Sequence, residues 1–208
     1  MIRDGYPTAN KAVEKATIRD LRAVLETHFD GIETVFRRLR EGGSLPNGKP
    51  GRDGVGSAEI TPQHAATTLL AVAASAWSAA AEAPHEAARL AGFVMRYPRD
   101  DDPPALLHVL AGELRRAVDP DYRPGEWRIG EYSVRRTVHT GRVAHVGDDV
   151  VPSPDLWRFE PPGDRLVMPA DEQGRPMAML LNRNTEISSG LISALGRLFA
   201  VSTVEAAD

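Results

Sequence analysis

"TIRDLRAVLETHFDGIETVFRRLREGG", residues 17–43, contains two amphipathic repeats separated by an Asp-Gly pair. In the first repeat, apolar side chains recur three or four residues apart, at Ile18, Leu21, Val24, Leu25 and Phe29. The second repeat has the same spacing, at Ile32, Val35, Phe36 and Leu39. Such spacing places one apolar stripe on each of two helices. Because Asp30-Gly31 breaks the first helix and Gly42-Gly43 ends the second, the stretch predicts a helix-turn-helix.

The outward face of the second helix and the loop after it are rich in cationic side chains. Residues 32–52 hold five cationic and two anionic side chains, a local charge of +3 in a chain whose net charge is −4. Arginine can grip a phosphate or the edge of guanine, so this reversal of charge predicts a DNA-facing surface. The candidate DNA-binding residues are Thr34, Arg37, Arg38, Arg40, Lys49 and Arg52.

Further helices are expected up to residue 118. Thr61-Pro62 is a helix start, because Thr caps free amides and Pro suits the first helical position. We expect Pro84 to open a helix that ends near Tyr97-Pro98. Asp102-Pro103 should open the next, with the last residue of the acidic run at 100–102 as its cap and with one apolar face made of Leu106, Leu107, Leu110 and Leu114.

From Pro120 onward the pattern is typical of β-structure. Tyr132, Val134 and Val138 alternate, and Thr140-Gly141 is the predicted turn. The chain closes with an amphipathic helix over 187–199, whose stripe is Ile187, Leu191, Leu195 and Leu198. The fold class predicted is α+β, in three regions: 1–75 winged helix-turn-helix, 76–118 helical, and 119–208 β-rich with a terminal helix. Trp77, Trp127 and Trp157 are interpreted as core anchors, with Trp157-Arg158-Phe159 as an alternative interaction surface.

Residues 17–75 resemble the winged helix-turn-helix of the MerR superfamily and of small phage excisionases and prophage regulators. The matching pieces are Leu39-Arg40-Glu41-Gly42, Leu45-Pro46, the basic segment 47–58 and Thr61-Pro62-Gln63. The resemblance implies a recognition helix, a basic wing and a capped helix. The Tyr and Arg of the second wing strand and the long dimerising helix of that family have no clear counterpart here, so DNA distortion on activation is not carried over.

Other chemistry finds little support in the sequence. Gly43 to Lys49 fits the first seven positions of a phosphate-binding loop, but Pro50 stands where the magnesium-binding hydroxyl belongs. The chain has no cysteine, and its six histidines show no recognised zinc spacing; His139 and His145 could meet across a hairpin, but an ordinary strand role is favoured. The serines of "ISSGLI" fit helix capping. We therefore expect no enzyme activity, no cofactor and no metal.

The function predicted is that of a sequence-specific, double-stranded DNA-binding transcriptional regulator, such as a phage or mobile-element repressor. A homodimer is expected, since one short helix reads few bases. The C-terminal region, including the helix at 187–199, is the candidate for dimerisation or for sensing a protein or small-molecule effector. No signal peptide or membrane span is recognised, so we expect a cytoplasmic, nucleoid-associated protein. Two alternatives stay open: a protein–protein adaptor or antirepressor module, and a ligand-binding or hydrolytic domain within 120–182.

Overall fold

The computed structural model describes residues 15–47, 58–95, 103–138, 143–146, 149–152, 155–162 and 183–200. The helices in these ranges are α1 (Ile18–Glu26), α2 (Glu33–Glu41), α3 (Pro62–Ala74), α4 (Ala83–Ala91), α5 (Leu106–Arg116) and α6 (Ser189–Arg197). The strands are β1 (Val94–Met95), β2 (Glu126–Gly130), β3 (Val134–Val138), β4 (Val143–Val146), β5 (Asp149–Pro152), β6 (Asp155–Glu160) and β7 (Asn184–Ile187). The protein combines helices with antiparallel sheet, as the α+β expectation requires.

The main sheet has five antiparallel strands in the order β1-β6-β3-β2-β7, and β4 and β5 form a separate two-stranded ladder. Burial alternates along the two central strands. Trp127 and Ile129 of β2 are buried, whereas Arg128 between them is exposed. On β3, Arg136 is buried and Arg135 is exposed. One face of the sheet therefore packs on the helices and the other is open on these strands.

Helix α3 lies at the centre of the helical layer. It packs against α2, α4, α5 and the strands β2 and β7. Its buried residues are mostly alanines, and small side chains let neighbouring backbones approach closely from several sides. Buried side chains from α1 through α6 and from the main sheet form one continuous hydrophobic core.

The local signals at the start of the chain are confirmed. Thr17 caps α1 through a capping box with Asp20, and Thr61 caps α3 in the same way with His64. Gly31 and Gly43 both adopt positive φ angles, of 66° and 74°. These are the breaks expected after α1 and α2, and an L side chain would be strained at either position.

Two predicted helix boundaries in the middle region are wrong. Asp102 lies outside the described residues, and α5 begins at Leu106 instead of at Asp102-Pro103. A residue before proline is disfavoured in the helical region, so Pro103 cannot continue a helix into Pro104; Ala105, next in the chain, forms an antiparallel bridge with Val94. Helix α4 ends at Ala91, not near Tyr97-Pro98, because Gly92 follows it and the chain then enters β1.

Two details of the β-rich region also differ from the prediction. Tyr132 is not in a strand; it lies in the tight turn between β2 and β3, where Gly130 N donates to Ser133 O at 3.0 Å. Ile187 closes β7 opposite Trp127 and is not part of the terminal helix. Ser188 then caps α6, as expected of the serines there. The predicted turn at Thr140-Gly141 lies outside the described residues.

Candidate functional site

Helix α2 presents its predicted arginines to solvent. Val35, Phe36 and Leu39 are buried, and the helix packs on α3 and α4. On the opposite side, the side chains of Arg37 and Arg38 are 57% and 45% exposed. The apolar stripe therefore sets the direction in which both guanidinium groups point.

The acidic residues of α2 are engaged in ion pairs. Arg38 Nη1 lies 2.9 Å from Glu41 Oε2, and Arg37 Nε lies 3.9 Å from Glu41 Oε1. Glu33 is held by Arg22 of α1, with Nη2 2.9 Å from Oε2. Exposed pairs of this kind contribute only about 0–1 kcal/mol, so an incoming phosphate can replace the carboxylate.

The other predicted DNA-binding residues are either half-buried or outside the described residues. Thr34 is half-buried on the same face as Arg37 and Arg38. Arg40 is half-buried on the flank and forms no ion pair with any described residue; with Arg37, Glu41 and Asn47 it lines a depression of about 250 Å³. Lys49 and Arg52 lie outside the described residues.

The loop after α2 is anchored at both ends. At its start Leu45 is 1% exposed, and Ser44 N donates to Leu39 O at 2.8 Å. At its end the chain runs antiparallel to the residues before α1, with a bridge between Thr17 and Glu59 and a bond from Ile18 N to Ala58 O of 3.1 Å. Residues 44–45 are therefore held at the end of α2, and residues 58–59 lie beside the start of α1.

The spacing and packing of α1 and α2 differ from a compact helix-turn-helix. The connection spans residues 27–32, longer than the three or four residues usual for that motif. Helix α1 packs against α6, whereas α2 packs against α3 and α4. Each helix is thus held by the common core more than by the other.

A row of arginines on the exposed face of the sheet is missing from the sequence prediction. Strand register places Arg128 of β2 opposite Arg135 of β3, and Arg135 opposite Arg158 of β6. We refer to these three residues as the arginine row. At one end of the row Glu186 of β7 lies opposite Arg128 and forms an ion pair with it. At the other end Arg158 pairs with Glu160.

An open pocket of about 470 Å³ lies at the Glu186 end of the arginine row. Polar and charged side chains along it come from β2, β3, β7 and the cap of α6: Glu126, Arg128, Arg135, Thr137, Glu186 and Ser188. A neighbouring depression of about 340 Å³ shares Glu126 and Thr137 with it. The two together make a polar groove along one side of the sheet.

A second charged cluster lies on the opposite, buried face. Glu113 of α5 is 0% exposed and Arg136 is 4% exposed, and the carboxylate accepts from Arg136 Nε at 2.9 Å and from Nη2 at 2.7 Å. It also accepts from Trp127 Nε1 at 2.7 Å, Gly125 N at 2.6 Å and the Tyr122 hydroxyl at 3.2 Å. With both oxygens occupied, this cluster is a structural tie between α5 and the sheet.

The surroundings shift the pKa values of two members of this cluster. Burial alone would lower the pKa of Arg136, but the hydrogen bonds and charge of Glu113 outweigh burial and raise it. Burial, followed by the charge of Glu113, raises the pKa of the Tyr122 hydroxyl. Arg136 and Tyr122 therefore keep their protons at neutral pH, and the guanidinium also stacks on Trp157 at 4.4 Å from the ring centroid.

The described part of the chain holds neither a cluster of three metal ligands nor a membrane-spanning helix. Its His, Asp and Glu side chains nowhere gather in a group of three suited to a metal ion. Each helix within it is too short or too polar to cross a bilayer. No protein-family model, curated protein or solved structure matches this chain.

Proposed function

We propose that this protein is a sequence-specific, double-stranded DNA-binding transcriptional regulator of phage or mobile-element type, with α2 as the helix that enters the major groove. The observation that supports this proposal is the outward face of α2, where Arg37 and Arg38 are exposed beside Thr34. Their guanidinium groups are held only by exposed pairs with Glu41. Arg37 and Arg38 can exchange the Glu41 carboxylate for a phosphate or for the edge of a guanine without any change in the core.

Residues 47–58 are the proposed wing. The buried Leu45 precedes this segment beside α2, and Ala58 O at its end accepts from Ile18 N of α1. Lys49 and Arg52 would contact the DNA backbone or the minor groove, and Arg40 the phosphates beside the helix. Contacts of this kind orient a protein on the duplex, while base edges carry the sequence information.

A homodimer is part of the proposal because two recognition helices double the site that is read. The apolar stripe of α6 is not available for this purpose, since Leu191, Ile192 and Leu195 are buried in the protein's own core. The proposed dimer contact therefore uses another surface of the C-terminal region.

Fluorescence anisotropy against genomic and random duplexes tests the proposal. We expect binding at about 50 mM salt and a steep loss of affinity as salt rises. The variant Arg37→Ala/Arg38→Ala should lose discrimination between sequences, because each base contact contributes about 1–3 kcal/mol. Lys49→Ala should weaken all duplexes alike and flatten the salt dependence. Arg115→Ala, an exposed arginine of α5, is the matched control and should bind as wild type.

Absence of duplex binding at low salt would refute the DNA proposal. Pull-down of an acidic protein that is lost in Arg37→Ala/Arg38→Ala, without duplex binding, would favour the adaptor alternative instead. Circular dichroism of each variant separates loss of contact from loss of fold, because both arginines are exposed and outside the core.

A further inference from the structure

The arginine row concentrates positive charge where the fold does not require it. Directly opposite side chains on an antiparallel sheet have Cβ atoms about 4.5–5.5 Å apart, and like charges in that position destabilise the pair. Arg135 has arginines on both sides, Arg128 and Arg158. Many uncharged residues would fit such strand positions. Three adjacent guanidinium groups repel one another, and a counter-charge reduces this repulsion.

The two outer arginines have their counter-charge within the protein, but the central one does not. Arg128 pairs with Glu186 and Arg158 with Glu160. Among the described residues, no carboxylate forms an ion pair with Arg135, whose side chain is exposed. Arg135 therefore offers a guanidinium fork at the centre of the row that no carboxylate of the described residues neutralises.

The pocket beside Arg135 has the size of a small-ligand site and a polar lining. Its volume of about 470 Å³ falls within the range of roughly 300–1,000 Å³ that is usual for such sites. Thr137 and Ser188 add hydroxyl groups. Ser188 Oγ accepts from Leu191 N at 3.2 Å, so its own hydrogen is free to donate to a ligand.

We propose that this pocket binds a small, hydroxyl-bearing phosphate ester, such as a sugar phosphate or a nucleoside monophosphate, with its phosphate on Arg135. A guanidinium fork matches phosphate oxygens two at a time. A phosphate monoester carries nearly two negative charges at neutral pH, so it attracts the guanidinium of Arg135 more strongly than a single carboxylate does.

The carboxylates at the rim of the pocket favour a ligand that carries hydroxyl or amino groups beside its phosphate. Glu126 and Glu186 line the pocket, and a carboxylate accepts hydrogen bonds from such groups. The site lies on the sheet and shares no residue with α2, so it stands independently of the DNA proposal.

Thermal shift and isothermal titration calorimetry of the full chain test this site. The probes are inorganic phosphate, ribose 5-phosphate and adenosine 5′-monophosphate, with ribose and adenosine as phosphate-free partners at matched ionic strength. We expect the esters to raise the melting temperature, since a ligand that binds only the folded state stabilises it. The phosphate-free partners should leave it unchanged.

Variants at Arg135 locate the binding. Arg135→Gln should weaken ester binding about 10- to 100-fold, the effect of removing a charge-assisted contact. Arg135→Lys should recover part of it, because Lys keeps the charge and loses the fork. Arg115→Gln, which removes the same charge from an exposed site on α5, should bind as wild type, and so should Arg37→Ala/Arg38→Ala.

Equal ester affinity in wild type and Arg135→Gln would overturn the proposal, as would the lack of any ester-induced shift in the wild-type protein. If only duplex DNA bound through Arg135, the phosphate would belong to nucleic acid and the small-ligand site would be refuted. Ester binding that persists when duplex binding fails would keep this site and reject the DNA proposal, so the two failures are distinguishable.

Discussion

Arg135 and Arg136 are consecutive in the chain and lie on opposite faces of β3. Strand alternation requires opposite faces, and in "VRRTV" it puts Arg136 on the same face as Val134 and Val138. Burial of a guanidinium there is possible because Glu113 of α5 supplies a carboxylate. Local alternation thus decides which arginine faces inward, and a partner in another element makes its burial possible.

Removal of the Glu113 carboxylate should strongly destabilise the protein. Glu113→Ala leaves the Arg136 guanidinium buried without a counter-charge, at a cost of about 3–5 kcal/mol. It also leaves the Trp127 and Gly125 donors without their acceptor. Chemical denaturation monitored by circular dichroism should show the transition midpoint moving to much lower denaturant.

An exposed pair provides the matched control for that prediction. Lys15 Nζ lies 3.0 Å from Glu59 Oε1, and both side chains are more than half exposed. Glu59→Ala should therefore cost no more than about 1 kcal/mol. Equal destabilisation by Glu113→Ala and Glu59→Ala would contradict the structural role assigned to the buried cluster.

His64 should make stability depend on pH near its titration range. Thr61 N donates to His64 Nδ1 at 3.1 Å, a bond that needs the neutral ring, and burial lowers the pKa of His64 from 6.5. Since the unfolded state then binds the proton more tightly, the contribution is complete above pH 6.5 and declines as the pH falls through 6.5 toward the lower folded-state pKa.

His64→Gln tests this pH dependence. Glutamine keeps the capping box, because its side-chain oxygen can also accept a hydrogen bond from Thr61 N. A glutamine side chain does not titrate. Between pH 8 and pH 5 the denaturation midpoint should therefore fall less in His64→Gln than in wild type, because only the wild type loses stability by protonation of residue 64. The exposed His108 supplies the control, and His108→Gln should keep the wild-type slope. Parallel slopes in wild type and His64→Gln would show that the cap is not the source.

At the scale of elements, the contact between α5 and α6 depends on a glycine. A Cβ at Gly196 would lie 2.5 Å from Ala117 Cβ and 3.0 Å from Leu114 O. Gly196→Ala should therefore force the helices apart and destabilise by about 1–3 kcal/mol. Gly112→Ala in α5 is its counterpart: nothing lies within 4 Å of the new Cβ, and stability should rise by about 0.5–1 kcal/mol. Thermal melts that moved both variants in the same direction would refute this account of the packing.

The elements that were predicted correctly are those specified by local sequence. The stripe of α2, the caps at Thr61 and Ser188 and the breaks at Gly31 and Gly43 depend on residues a few positions apart. The start of α5 differs from the prediction although Pro103-Pro104 is itself a local signal against a helix there; the bridge from Ala105 to Val94, which also delays the helix, is a tertiary contact. Dependence on tertiary contacts also hid the candidate site on the sheet.

The arginine row shows why distant pairing hides a site. Arg128, Arg135 and Arg158 become neighbours only through the order and register of β2, β3 and β6. Alternation in "EWRIG" already indicates that Arg128 faces outward, and that was the available signal. The local sequence does not specify which strand lies beside β2. The exposed face of α2, in contrast, follows from the periodicity of its own sequence.

At the scale of the whole molecule, the three regions seen in the sequence share one core. Leu21 of α1 and Leu195 of α6 are both fully buried in it, and their helices pack against each other. Thr185 of β7 donates to the carbonyl of Ala73 in α3 at 2.9 Å. The first and last of the described helices thus share one interior, and the proposed DNA-contacting helix is attached to the same core as the sheet.

A shared core predicts cooperative unfolding of the whole chain. Leu21→Ala and Leu195→Ala should each cost about 2–5 kcal/mol, and each should shift the same single transition when calorimetry is compared with tryptophan fluorescence. The two probes should coincide in both variants, because loss of packing at either end loosens the interior that holds the other. Two separable transitions, with Leu21→Ala moving one and Leu195→Ala the other, would show that the N-terminal helices and the sheet are independent folding units.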